Sequence, residues 1–210
     1  MIEILFINDD FLACVKPIGV PSQSDGAEDM VRLLSAQTGG EIYPVHRLDT
    51  AVGGTMIFAR NKKSAAYLSK EISEKRFVKK YYAVTEGSPD EKEGRLEDLL
   101  FKDKRKNKSF VVKRERKGVR RAGLDYRVID EADGKALVSV RLNTGRSHQI
   151  RVQFASRKMP LVGDGKYGSR DNGCDVALWS HSIEFKFDNK TLLFESVPDT
   201  DDYPWNLFKI

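Results

Sequence analysis

Residues 46 to 54, HRLDTAVGG, set an imidazole, a guanidinium and a carboxylate within four positions and follow them with two glycines. Burial raises the pKa of a carboxylate and an adjacent guanidinium lowers it, so an Asp that must act in its ionised form inside a closed pocket needs an Arg beside it. Asp49 is therefore a candidate nucleophile or base. Arg47 need not be its partner, because neighbours in an extended segment point opposite ways. Arg151 is a second candidate from farther along the chain. The plainer reading is a structural Arg47–Asp49 ion pair on a turn.

A second polar cluster is TGRSHQIR (144–151), where Arg146, His148, Gln149 and Arg151 crowd a Thr-Gly turn at an expected helix start. Such a place suits anions, because free N–H groups and the helix dipole point toward it. The plainer reading is a capped helix with a solvated face. GDGKYG (163–168) fits G-x-G-x-x-G, but no helical pattern follows it, so a glycine-rich turn is expected rather than a dinucleotide site. His46, His148 and His181 lack ligand spacing and neither cysteine has a near partner, so no metal is expected. No G-x-S-x-G elbow occurs.

The elements that must carry these residues read as follows. Strands are expected at 2–8 and 11–16 around the turn Asp9-Asp10, and a helix over 28–37 stopping at Gly39. A buried strand follows the first motif at 55–59, then a helix over 62–75 capped by Asn61. Further strands are expected at 77–87, 109–113, 123–130 and 135–142, with a hairpin at Asp133-Gly134. Residues 147–158 read as helical. Strands 176–187 and 191–196 flank Asp188-Asn189-Lys190. Strands outnumber helices and several are joined as hairpins, which predicts an α+β fold with a large mixed, mostly antiparallel sheet.

Composition narrows the class. The 210 residues are 40% hydrophobic and 32% charged, which excludes a disordered chain, and no apolar run reaches the roughly 20 residues a membrane helix needs. The N-terminus shows no basic region and no cleavage site, so a cytoplasmic protein with two reduced, buried thiols (Cys14 and Cys174) is expected. The net charge is +5, yet residues 102–121 alone carry +9, which leaves −4 elsewhere. A basic block on a slightly acidic body points to a polyanion such as nucleic acid, or else to a solvated hairpin.

Five segments in order together resemble the RluA-type pseudouridine synthase family. HRLD followed by Gly54 resembles its H-R-L-D-x-x-T-S-G signature, and Lys16-Pro17-x-Gly19 resembles its K-P-x-G turn. Lys79-x-Tyr81-x-Ala83 resembles its K-x-Y-x-A strand, TGRSHQIRV its G-R-[TS]-H-Q-[IL]-R-V segment, and Pro160 to Gly168 its P-[IL]-x-G-D-x-x-Y-G turn. The chain departs from the signature at Val52-Gly53-Gly54, where two hydroxyls are lost and another donor, Thr50 or Thr55, is expected to hold the loop.

The resemblance implies the pseudouridine synthase fold, with helices and loops around a central cleft, and isomerisation of uridine in ribosomal or transfer RNA without a cofactor. It makes Asp49 the catalytic carboxylate, Arg151 the Arg paired with it, and Tyr81 the ring that stacks on the flipped uracil and handles a proton at C5. Three routes are open to Asp49: attack at C1′, attack at C6, or proton abstraction from C2′. The base must leave its stack, and Arg47 is expected to fill the gap. Leu48 and Ile150 are assigned to the uracil pocket. His46, Arg146, His148 and the basic residues Lys104, Arg105, Lys106 and Lys108 are assigned to RNA binding. The K-P-x-G turn begins at Lys16, so a single catalytic domain over 1–210 is expected, with no added N-terminal RNA-binding domain. A monomer is expected, with RNA and no membrane as its partner. The rival readings are a catalytically inactive RNA-binding protein of the same fold and a nucleoside hydrolase. A hydrolase would call for a second carboxylate.

Overall fold

The computed structural model describes residues 1–24 and 28–210. The fold is α+β: strands, mostly antiparallel, carry three α-helices among the described residues. The chain forms two compact units, one of Met1–Lys79 with Trp179–Pro198 and one of Lys80–Leu178 with Asp199–Ile210.

In the first unit, β1 (Glu3–Ile7) and β2 (Phe11–Lys16) form a hairpin, and the Asn8 side chain holds its turn by accepting from the N–H groups of Asp10 and Phe11. Helix α1 (Met30–Thr38) is capped by Asp29, which accepts from the Arg32 N–H, and ends at Gly39. β3 (Tyr43–Pro44) and β2 both lie antiparallel to β4 (Gly53–Ala59), every residue of which is buried. Asn61 caps α2 (Lys62–Ser73) by accepting from the Ser64 N–H at 2.8 Å.

In the second unit, β5 (Val78–Glu86) pairs antiparallel with β9 (Lys135–Leu142) and starts the sheet order β5-β9-β8-β6-β7. β6 is Glu93–Asp103, β7 Lys108–Val112 and β8 Val119–Ala132, all antiparallel to their neighbours. Asp133 and Gly134 both take positive φ and turn β8 into β9. Helix α3 is Gln149–Ala155. Back in the first unit, β10 (Leu178–Phe187) runs parallel to β4 at Gly53 and Gly54 and antiparallel to β11 (Lys190–Glu195). Its core is aromatic: Phe77 stacks on Phe185 at 4.4 Å, and Phe11 meets Phe185 edge-on at 5.5 Å.

Several expectations change. Residues 88–101 carried no expected element, yet β6 runs through them. Leu96 and Leu100 alternate inward under a mostly charged surface, and antiparallel partners on both sides supply the hydrogen bonds that propensity does not. The basic block holds more strand than expected, since β6 ends and β8 begins inside it. The helix expected over 147–158 is shorter because His148 is left-handed at φ 53° and Lys158 at φ 65°, conformations that L residues seldom adopt within a helix. Cys14 is buried, but Cys174 is only partly so, which corrects the expectation of two buried thiols.

The departure at Gly53 has a packing reason, and so does the retained Gly54. A Cβ on Gly53 would lie 2.4 Å from the Trp179 ring, and one on Gly54, at φ 115°, would lie 2.4 Å from the Ser180 carbonyl oxygen. The indole fills the space of the missing side chain and donates from Nε1 to Ser196 Oγ at 3.1 Å. Gly53→Ser is therefore expected to overpack this site and to lower stability by about 1–3 kcal/mol. Trp179→Leu in the same chain should recover part of that loss. Urea midpoints of the two single variants and the double variant check it through their coupling.

Candidate active site

The loop bearing His46, Arg47, Leu48 and Asp49 joins β3 to β4, so the end of β2 and the start of β4 flank it. Lys16, the last residue of β2, pairs with Gly54 and is wholly buried. Its ammonium donates to the carbonyls of Pro17 at 2.8 Å, Val20 at 2.7 Å and Thr50 at 3.3 Å. The Gly19 N–H also reaches Thr50 O, at 2.8 Å. Ser22 Oγ accepts from the Leu48 N–H and donates to the Leu48 carbonyl, both at 3.0 Å. The segment 16–22 thus grips the backbone on both sides of Asp49.

That grip replaces the expected hydroxyl. Thr55 is turned to the other side, where Oγ1 meets Ser196 Oγ at 2.9 Å and the His181 carbonyl at 3.2 Å, and Thr50 takes part through its carbonyl. Leu48 is buried and anchors the loop, Asp49 is half-buried and Arg47 is exposed. His46 Nε2 accepts from the Ile57 N–H at 3.0 Å, which ties the loop to β4. Its Nδ1 is buried without a partner, and burial together with the nearby Lys79 charge holds the ring well below its usual pKa. His46 therefore enters the site as a neutral brace. Lys79 is pushed down to about 8 by burial.

The second unit assembles another group. Tyr81 is buried on β5 opposite Val140. Ile150 and Arg151 are buried on α3, and Arg151 makes a two-pronged pair with the fully buried Asp164, at 2.6 and 2.7 Å. The Arg151 guanidinium lies 5.2 Å from the Tyr167 ring, and the Tyr167 hydroxyl meets His148 Nδ1 at 2.9 Å and accepts from the Ser109 N–H at 2.8 Å. Gln149, a buried side chain, ties Thr144 and Gly123 together. Arg146 is exposed and donates from Nε to the Arg121 carbonyl.

The basic block is docked on this group. Ser109 Oγ donates to the Ser147 carbonyl at 2.7 Å and Lys102 Nζ donates to Ser147 Oγ at 2.8 Å. Lys108 bonds the Lys166 carbonyl and lies 4.9 Å over the Tyr167 ring. Lys104, Arg105 and Lys106 are exposed at the β6–β7 turn. No group of three or more His, Cys, Asp or Glu side chains among the described residues could hold a metal ion. Reading by residue type missed Lys16, Ser109, Asp164 and Tyr167. Three of these sit inside segments already marked by their spacing, but only the fold shows what they hold.

Comparison with known proteins identifies relatives of this chain. A family model described as RNA pseudouridylate synthase matches residues 10–156. A Zymomonas mobilis protein called an uncharacterized RNA pseudouridine synthase is 34% identical over 190 residues, covering 87% of this chain and 86% of that protein. Ribosomal large subunit pseudouridine synthase D of Borreliella burgdorferi is 31% identical over 145 residues, covering 69% of this chain but 44% of that protein. The solved structure of human RNA pseudouridylate synthase domain containing 1 superimposes with a TM-score of 0.82 at 22% identity, over 95% of this chain and 84% of that one, a likeness of fold.

The Lys16 ammonium gives a direct test of the loop. Burial pushes its pKa down to about 8, against the opposing pull of Asp49. Lys16→Met strips the carbonyls of a charged donor and should cost about 2–4 kcal/mol of stability. In the wild type, the unfolded state holds the Lys16 proton up to about 10.5 while the folded state releases it above about 8. Stability from this group therefore rises with pH in that window. The gap between wild type and Lys16→Met should widen from pH 8 to pH 10, as read from urea midpoints at each pH.

Proposed function

We propose, since this chain belongs to the RNA pseudouridylate synthase family, that it converts particular uridines of an RNA to pseudouridine with Asp49 as its catalytic carboxylate. The N1–C1′ bond breaks, the uracil turns, a C5–C1′ bond forms, and the proton lost from C5 is balanced by the one gained at N1. The supporting observation is that the matched residues 10–156 contain His46 to Asp49, Tyr81 and Arg151, and that the Asp49 loop is gripped from Lys16, Gly19 and Ser22. A carboxylate acting on a nucleotide drawn from its stack needs such a fixed backbone, because its reach is a single short side chain.

The other roles in this reading follow the positions of the side chains. Tyr81 stacks on the flipped base and handles the C5 proton, Arg151 serves as the guanidinium of the site, and Asp164 holds Arg151 in plane. Exposed Arg47 occupies the gap left in the RNA. Leu48 and Ile150 wall the uracil. Lys104, Arg105, Lys106 and Lys108, with Arg146, contact phosphates, and His148 supports this surface through Tyr167. The name of the Borreliella relative favours ribosomal RNA as the substrate class over transfer RNA. We take residues 1–210 as one catalytic domain acting as a monomer in the cytoplasm.

Asp49→Asn keeps the shape of the side chain and removes its charge. The variant should form no pseudouridine in bulk ribosomal RNA, measured by nucleoside chromatography after digestion, while RNA affinity stays within a few-fold of wild type. Tyr81→Phe keeps the ring and loses the hydroxyl, so it should bind normally and turn over slowly in single-turnover assays. Substantial product from Asp49→Asn, with deamidation excluded by mass spectrometry, would remove Asp49 from the mechanism.

A further inference from the structure

One feature of the basic block lies apart from the residues assigned so far. The turn 113–118 folds over the sheet formed by β6 and β8, and a depression of about 450 Å³ opens there, lined by Leu99, Glu115, Arg116, Val119, Arg120 and Arg121. We propose that it binds one unstacked nucleotide of the RNA, other than the uridine that reacts. The proposal rests on the reading of the chain as an RNA-modifying enzyme.

The chemistry of the lining selects this ligand. Three guanidinium groups face one carboxylate, so the depression favours an anion, and planar forks favour phosphate. Leu99 and Val119 supply an apolar wall that a simple anion would not need and a base would use. The Arg116 guanidinium lies 4.9 Å from the centre of the Phe101 ring, so a cation–π contact restrains it before any ligand arrives, and a guanidinium can stack on a base. Arg121 is held by Glu115 at 2.8 Å in a pair that is exposed on both sides, and such a pair exchanges readily for a phosphate. The surrounding segment, at +9, supplies the field that draws RNA rather than an acidic protein segment of mixed charge.

The test uses the full chain and a fluorescent ten-residue oligoadenylate, which offers no uridine to the catalytic loop, beside an abasic oligomer of equal length. Wild type should prefer the base-bearing oligomer by roughly ten-fold. Arg116→Ala should abolish most of that preference. Arg121→Gln should leave the preference and reduce the slope of log affinity against log salt by about 0.7. Lys104, Arg105, Lys106 and Lys108 changed together to Gln should reduce the slope further without touching the preference. Equal urea midpoints confirm that these variants fold. Unchanged preference and slope in the Arg116 and Arg121 variants would overturn the proposal, as would an acidic decapeptide that competes as well as the oligonucleotide. If those variants bind as wild type while wild type still makes pseudouridine, the pocket alone is wrong. If wild type makes none but Arg116→Ala loses the preference, the enzymatic reading is wrong and the pocket stands.

Discussion

A buried ammonium needs acceptors on every side, and that requirement organises the first unit. Lys16 meets it with the carbonyls of Pro17, Val20 and Thr50. Burying a charge costs several kcal/mol unless such partners are in place, so the turn after β2 and the loop before β4 must close around the same point. Asp49 is one residue from Thr50 and inherits its place from this closure. The Ser22 contacts to Leu48 and the His46 contact to β4 fix the remaining freedom of the loop. Gly53 and Gly54 follow from packing, because the strand that begins there lies against Trp179 and Ser180.

The second unit solves a similar problem with an ion pair. Arg151 and Asp164 are both buried, and their two-pronged geometry satisfies the fork that burial would otherwise leave unpaired. Tyr167 extends the network to His148 and, through Ser109, to β7. The basic hairpin is thereby attached to the segment that bears Arg151. This weighs against a merely solvated hairpin, because Ser109 and Lys102 spend their hydrogen bonds on Ser147.

Much of the fold was legible in the sequence where local chemistry decides the structure. Asn61 and Gly39 mark helix ends, Asp133-Gly134 forces a hairpin, and the apolar run at 55–59 is a buried strand. The strand β6 was not legible, because its charged outer face hides the alternation of Leu96 and Leu100 and its stability comes from partners distant in sequence. Asp49, Tyr81 and Arg151 were singled out from short motifs, and their roles belong to the proposal. Lys16 and Asp164 could not be given roles, since the type of a lysine ending a strand and of an aspartate in a glycine-rich turn does not reveal the burial that the fold shows. His46 was assigned to RNA binding with the family motif; in the structure its ring accepts from the Ile57 N–H, and burial favours its neutral form, which braces the loop.

The central claim is that a gripped carboxylate rearranges uridine within RNA without releasing the base. Its most direct test is a mass balance on the wild-type protein. Ribosomal RNA carrying labelled uridine would be incubated with it, and pseudouridine and free uracil quantified from the same sample. The account predicts that pseudouridine accumulates and that free uracil stays at the level of the protein-free control. Release of uracil in proportion to enzyme, or binding of the RNA with no pseudouridine formed, would contradict it.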